Sequence, residues 1–163
     1  MRLLIIADTH IPARARDLPA QLWRAVDAAD LVIHAGDWID VRVLDALSAR
    51  AAALLGVYGN NDGPALRARL PEVAWLTVQG VRLAVVHETG PATRREERCV
   101  ARFPGVDVLV FGHSHIPWDS VAGNGMRLLN PGSPTDRRRQ PTGTYLTAAI
   151  EEGALVGVEL HPL

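Results

Sequence analysis

The sequence contains no lysine, and all 17 of its basic residues are arginines. Against 18 acidic residues they leave the 163-residue chain with a formal net charge of -1 at pH 7. A near-neutral chain has no excess positive charge with which to hold the phosphates of a nucleic acid. We therefore expect no stable nucleic-acid binding.

Cysteine and long hydrophobic runs are scarce as well. The single cysteine, Cys99, excludes an internal disulfide, so nothing indicates an oxidising compartment. The first apolar run, 3–7, is followed at once by Asp8 and is too short for a signal sequence or a membrane span. The sequence thus predicts a cytoplasmic protein that does not associate with membranes.

Hydrophobic residues make up 48% of the chain, enough for one substantial core, and we expect a single domain over 1–163. Apolar runs at 2–7, 31–35 and 52–58, each followed by a helical pattern, predict three βα units with parallel strands. Beyond residue 72, turns near 79–80, 123–125 and 152–153 favour hairpins and a more antiparallel second half. A helix over 94–103 and a strand over 106–111 lie between them. Together, these elements predict two sheets packed face to face, with the helices on their outer sides.

Polar clusters stand where five of the predicted strands end. In an open α/β sheet, ligands bind beyond the carboxyl ends of the strands, so these clusters are expected to meet. Their carboxylates, imidazoles and amide oxygen form a mixed set that suits Mn, Fe, Zn, Co or Ni. The clusters are Asp8-Thr9-His10, Gly36-Asp37, Gly59-Asn60-Asn61-Asp62, His87-Glu88 and Gly112-His113-Ser114-His115.

The spacing of the paired residues and the number of donors make this hypothesis more specific. Asp8 and His10 are two residues apart, as are His113 and His115. On an extended segment both side chains of such a pair point the same way, so each pair would form a pincer on an ion. The clusters hold seven donors, more than one ion needs, and two ions sharing a bridging carboxylate fit them better.

Each cluster alone has an ordinary structural interpretation. An Asp after a strand commonly caps a helix or forms a turn, and a lone His is usually packed or exposed without a ligand. The coincidence of five clusters, all of ligand residue types, argues against that interpretation. Outside the clusters, we expect His34 to support a ligand and Trp38 either to stack on a nucleobase or to pack beneath the loops. The run 137–139, three arginines, either guides an anionic substrate or is a solvated loop.

The ordered series Asp-x-His, Gly-Asp, Gly-Asn-x-Asp, His, Gly-His-x-His resembles the calcineurin-like metallophosphoesterases. The short chain, with Asn130-Pro131-Gly132-Ser133 after the last His pair, is similar to their small phosphodiesterase branch. The resemblance covers 8–133 and implies an α/β fold, a four-layer α/β/β/α sandwich of two mixed sheets. It also implies a dinuclear metal site at the edge of those sheets.

The resemblance further implies the ligands and the reaction. One divalent ion would be held by Asp8, His10, Asp37 and His115, and the second by Asp37, Asn60, His87 and His113, with Asp37 bridging. Mn²⁺ is the expected metal, with Fe, Zn, Ni, Co or Mg as alternatives. A metal-bridging hydroxide would attack the phosphorus of a small phosphoester in line, most simply a phosphodiester. Two such ions would move the formal charge from -1 to about +3 and attract an anionic substrate.

One position departs from the family pattern. Many relatives have His after the motif Asn, whereas this chain has Asn61. An amide cannot act as a general acid, so Asn61 is expected only to contact a phosphoryl oxygen of the substrate. Asp62, which would support that histidine, is then expected to be a helix cap. We predict slow turnover of substrates with poor leaving groups.

Two other functions remain open at the sequence level. The same site could hydrolyse phosphomonoesters or small nucleotides. Alternatively, the chain could be a non-catalytic scaffold, since a subunit of the retromer coat has this fold and uses its surface for protein contacts. That role does not require the complete donor set that this chain retains. The apolar second half of the chain is also compatible with a homo-oligomer.

Overall fold

The structure is a computed structural model that describes residues 1–163, and its strands form two five-stranded sheets. The first sheet has the order β10-β9-β1-β2-β3. Its strands are β1 (Arg2–Ile6), β2 (Leu31–His34), β3 (Leu54–Gly56), β9 (Thr144–Glu151) and β10 (Ala154–Pro162). The second sheet has the order β4-β5-β6-β8-β7. Its strands are β4 (Val73–Val78), β5 (Val81–Val86), β6 (Val108–Val110), β7 (Trp118–Val121) and β8 (Arg127–Asn130).

The predicted βα units are present in the first half of the chain. Strands β1, β2 and β3 pair in parallel, and the helices α1 (Ala20–Ala28), α2 (Val41–Arg50) and α3 (Pro64–Arg67) follow them in turn. The Asp40 side chain caps α2 by accepting a hydrogen bond from the Arg42 amide. Strand β3 is shorter than predicted, because residues 57–62 leave the sheet and form a loop.

The second half confirms the three hairpins but is less antiparallel than expected. Strand β5 is parallel to β6, because the helix α4 (Arg95–Arg102) crosses between them. Strand β6 is parallel to β8, because β7 lies between them in sequence and runs antiparallel to β8. The last hairpin also joins the first sheet, where β9 pairs antiparallel with β1. Both sheets are therefore mixed.

Three apolar layers separate four layers of structure. The central one joins the facing sides of the two sheets and includes Ile5, Leu83 and Leu146. A second lies between the first sheet and α1 to α3, and a third between the second sheet and α4. The predicted α/β/β/α sandwich is confirmed. No helix in this fold is long and apolar enough to cross a bilayer.

Candidate metal centre

The polar clusters converge at one edge of the two sheets. Asp8, Asp37 and Asn60 lie in the loops that follow β1, β2 and β3 of the first sheet. His87 and His113 lie in the loops after β5 and β6 of the second sheet. The parallel direction of the strands within each sheet brings these loops to the same side. The Asp8 carboxylate joins the two sheets, because it accepts the His113 backbone N–H at 3.0 Å.

One group of donors consists of Asp8, His10 and His115, all buried, whose ligand atoms lie within 4.8 Å of one another. His115 Nε2 is 3.5 Å from Asp8 Oδ1 and 3.2 Å from His10 Nε2. These are the donors expected on the first ion, together with Asp37, whose Oδ2 is 3.4 Å from His10 Nε2. The four side chains share one small space.

The other donors lie on the far side of Asp37. His87 Nε2 is 3.5 Å from Asp37 Oδ2, and Asn60 Oδ1 is 2.9 Å from both His87 Nε2 and His113 Nδ1. The ligand atoms of Asp8, Asp37 and His87 also lie within 4.8 Å of one another. The structure thus brings all seven predicted metal ligands together, with Asp37 between the two groups of donors and Asp8 close to both.

The backbone of the site differs from the extended pincers that the spacing predicts. Asp8, His10, His113 and His115 have φ angles of 55°, 44°, 71° and 58°, and Asp37 has 60°. These residues are in the left-handed region, which only a few per cent of non-glycine residues adopt, Asn, Asp and His more often than others. The side chains of His113 and His115 consequently face different groups of donors. The pairs still reach the site, but through sharp turns.

The electrostatics of the cluster fit a cation. Burial raises the pKa of Asp8 to about 8 and lowers that of His115 to about 4, and it lowers the pKa of His10 too. Burial also acts to raise the pKa of Asp37, but hydrogen bonds from His87 and Asn61 outweigh it and hold that pKa below its ordinary value. Two buried carboxylates surrounded by imidazoles, without a nearby arginine bonded to them, are the donor set that a divalent ion stabilises.

Neighbouring groups fix the orientation of two imidazoles. His87 Nδ1 is 2.7 Å from the Ala35 carbonyl oxygen, and His115 Nδ1 is 2.7 Å from that of Asp136. A nitrogen so placed donates its proton to the carbonyl, so Nε2 is the ring nitrogen directed at the site, where a metal would replace any proton that it carries. Backbone carbonyls therefore select the tautomer that can bind a metal.

Two residues of the 59–62 loop have roles that the sequence did not reveal. Asp62 is not the expected helix cap, since Gly63 occupies the N-cap of α3. Its carboxylate instead accepts the backbone N–H groups of Asp37, Ile39 and Gly59, which joins the two loops. The Asn61 side chain donates to Asp37 Oδ2 at 2.7 Å, so it lies beside the carboxylate between the two donor groups.

Arg67 of α3 was missed by sequence analysis. It donates to the carbonyl oxygens of Asp62, Gly59 and Asn60 at 2.7, 3.1 and 3.2 Å, so it holds the backbone of the loop that carries Asn60. An arginine eight residues after Gly59 is unremarkable in a sequence. Only the short turn between β3 and α3 brings its guanidinium back onto the loop.

The other residues named in the sequence analysis, outside the polar clusters, lie around the site. His34 is fully buried, accepts the Gly36 N–H at 3.2 Å and stacks on Trp38, whose indole N–H donates to the Val57 carbonyl. Trp38 is therefore packed beneath the loops and is closed to a nucleobase. The arginines at 137–139 are exposed, and Arg138 Nε lies 3.9 Å from Asp136, the residue that orients His115.

A two-sheet α/β sandwich with carboxylates and imidazoles gathered at its strand ends defines the metallophosphoesterase class. Comparison with known proteins then shows the family within this class to which the chain belongs. The calcineurin-like phosphoesterase superfamily domain matches residues 1–153. A probable metallophosphoesterase of Methanocaldococcus jannaschii is 33% identical, over 98% of this chain and 82% of that protein. The chain belongs to the calcineurin-like phosphoesterase superfamily.

Solved structures agree with this fold. The Thermotoga maritima protein TM1076 is 33% identical, with a TM-score of 0.78 over 99% of each chain. Vps29 of Chaetomium thermophilum superposes with a TM-score of 0.83, over 100% of this chain and 97% of that one, at only 18% identity. The second likeness shows that the fold is shared across distant sequences.

Proposed function

We propose that the protein is a metal-dependent phosphodiesterase that uses two divalent ions. The observation that carries this proposal is the position of Asp37 between the two groups of donors. Its Oδ2 lies within 3.5 Å of the Nε2 atoms of His10, in one group, and His87, in the other. Asp8, His10 and His115 would complete one ion's ligands, and Asn60, His87 and His113 the other's. When bound, the ions supply Lewis-acid activation of a water and neutralise charge at the phosphoryl group.

The residues of the chain account for the rest of the reaction. The water oxygen forms a bond to phosphorus and releases a proton to solvent as the bond to one ester oxygen breaks. The leaving oxygen must take its proton from solvent, because Asn61 stands where a histidine would donate one. Since His113 and Asn60 are exposed while the other donors are buried, the substrate enters from their side. Diesters with good leaving groups suit such a site best.

The test is hydrolysis of bis(p-nitrophenyl) phosphate. We expect EDTA to abolish it and Mn²⁺ to restore it, with other divalent ions compared alongside. Asp37→Asn and His113→Ala should each remove most of the activity. Asp45→Asn is the matched control, because Asp45 is an exposed residue of α2 that pairs only with Arg69. Wild-type rates in both site variants would overturn the proposal.

The same assay separates the alternatives. Faster hydrolysis of p-nitrophenyl phosphate than of the diester would indicate a phosphomonoesterase. No hydrolysis of either substrate with any metal would favour the scaffold function, for which the shared fold is the only support.

A further inference from the structure

A cavity of about 640 Å³ adjoins the candidate metal centre. Asn60 and His87 line this cavity and also belong to the centre, so the cavity borders the centre directly. The volume lies within the range of small-molecule sites, roughly 300–1,000 Å³. A substrate held at the metal centre would therefore place one of its halves in this cavity.

Arginines dominate the charge of the cavity. Arg67, Arg98 and Arg102 line it, against two carboxylates, Glu72 and Glu88. Neither Arg67 nor Arg98 has a carboxylate within 4.0 Å, and Arg102 reaches Glu72 only at 3.9 Å. The two carboxylates thus leave the wall of the cavity positive.

Backbone carbonyls hold two of these guanidinium groups in place without neutralising their charge. Arg98 donates to the carbonyl oxygens of Thr89, Pro91 and Thr93, and Arg102 donates to that of Glu88 at 3.2 Å. A guanidinium has five N–H donors, so both side chains keep free donors after these bonds. Fixed arginines with spare donors are suited to binding phosphate oxygens.

We propose that this cavity, called here the arginine cavity, binds a second phosphate group carried by one half of the diester substrate. The inference rests on the proposed function, since it assigns the substrate class of the same site. The preferred substrates are then diesters that bear a terminal phosphate monoester, such as a 5′-phosphorylated dinucleotide. The polar lining, in which only three of 13 residues are hydrophobic, favours a charged occupant over an apolar one.

The experiment compares two dinucleotides, pApA and ApA, which differ only in the terminal phosphate. We expect the Mn²⁺-loaded wild type to hydrolyse pApA with a kcat/KM about tenfold higher, the effect of roughly one charge-assisted hydrogen bond. Arg102→Gln and Arg98→Gln should each bring the pApA/ApA ratio close to one. Arg24→Gln, at an exposed position of α1 outside the cavity, is the control and should keep the wild-type ratio.

Each outcome bears on one proposal. If bis(p-nitrophenyl) phosphate is hydrolysed but pApA and ApA react equally, the inference is wrong and the phosphodiesterase function stands. A preference for pApA that survives both arginine variants also overturns the inference, because the phosphate would bind elsewhere. If no diester is hydrolysed, the proposed function fails. Calorimetric titration with each dinucleotide then tests the second-phosphate site without relying on hydrolysis. Equal affinity for pApA and ApA would overturn the inference. Tighter binding of pApA that both arginine variants retain would overturn it as well.

Discussion

Gly59 shows how little space surrounds the central carboxylate. A Cβ at this position would lie 2.1 Å from Asp37 Oδ1 and 2.4 Å from the Asp37 backbone nitrogen. We predict that Gly59→Ala displaces the Asp37 carboxylate and weakens Mn²⁺ binding by about 10- to 100-fold, as loss of a supporting contact typically does. Calorimetric titration of the metal-free protein measures this directly.

Gly63→Ala is the matched control for that measurement. Gly63 belongs to the same loop, has an ordinary extended backbone, and has nothing within 4 Å of an added Cβ. We expect its Mn²⁺ affinity to equal that of the wild type. Equal affinities in both variants would contradict the central position of Asp37.

His34 makes the stability of the metal-free protein depend on pH. Burial holds the pKa of His34 well below its ordinary value of 6.5, so the unfolded chain takes up a proton that the folded chain does not. Stability therefore falls as the pH drops below about 6.5, with a slope approaching roughly 1.4 kcal/mol per pH unit for this one group. Denaturant unfolding from pH 7.5 to 5.5 should show a smaller loss in His34→Gln than in the wild type. An equal loss would exclude His34 as a source of the pH dependence.

The element that positions Asn60 is the short helix α3, acting through Arg67. Its three hydrogen bonds to loop carbonyls make Arg67 a positioning residue. We predict that Arg67→Gln weakens Mn²⁺ binding by about tenfold while the protein stays folded, because the loop loses its charged anchor. Arg69→Gln is the control, since Arg69 makes only an exposed pair with Asp45. The prediction is met if the two variants have the same melting temperature and only Arg67→Gln binds Mn²⁺ more weakly than the wild type.

At the scale of elements, the sequence predicts well what depends on local pattern. The apolar run 3–7 and the turn at 79–80 identify a strand and a hairpin, because both signals are local. The return of β9 to pair with β1 was not predictable in the same way, since it joins residues more than 140 positions apart. Residue types that can bind a metal, found where the predicted strands end, predicted the position of the candidate metal centre. Its left-handed turns and the contacts of Asp62 and Arg67 depend on the packing of separate loops.

For the molecule as a whole, the apolar layer between the sheets should dominate stability. Leu146 of β9 lies in this layer and is 3% exposed, whereas its partner in register, Leu160 of β10, is 48% exposed. We predict that Leu146→Ala costs about 2–5 kcal/mol of unfolding free energy, the usual range for a buried leucine. Leu160→Ala should change it by less than about 0.5 kcal/mol. Urea unfolding of the two variants compares the sites directly, and similar losses would contradict the assigned core.

The left-handed backbone of the candidate ligands also bears on the cost of keeping the site without an ion. Five of the seven candidate ligands occupy that region, where a non-glycine residue other than Asn or Asp costs roughly 1–2 kcal/mol. Glycine at a position such as His113 would relieve this strain but would remove a donor. A bound cation would offset the cost, because it stabilises only the folded state in which these side chains converge.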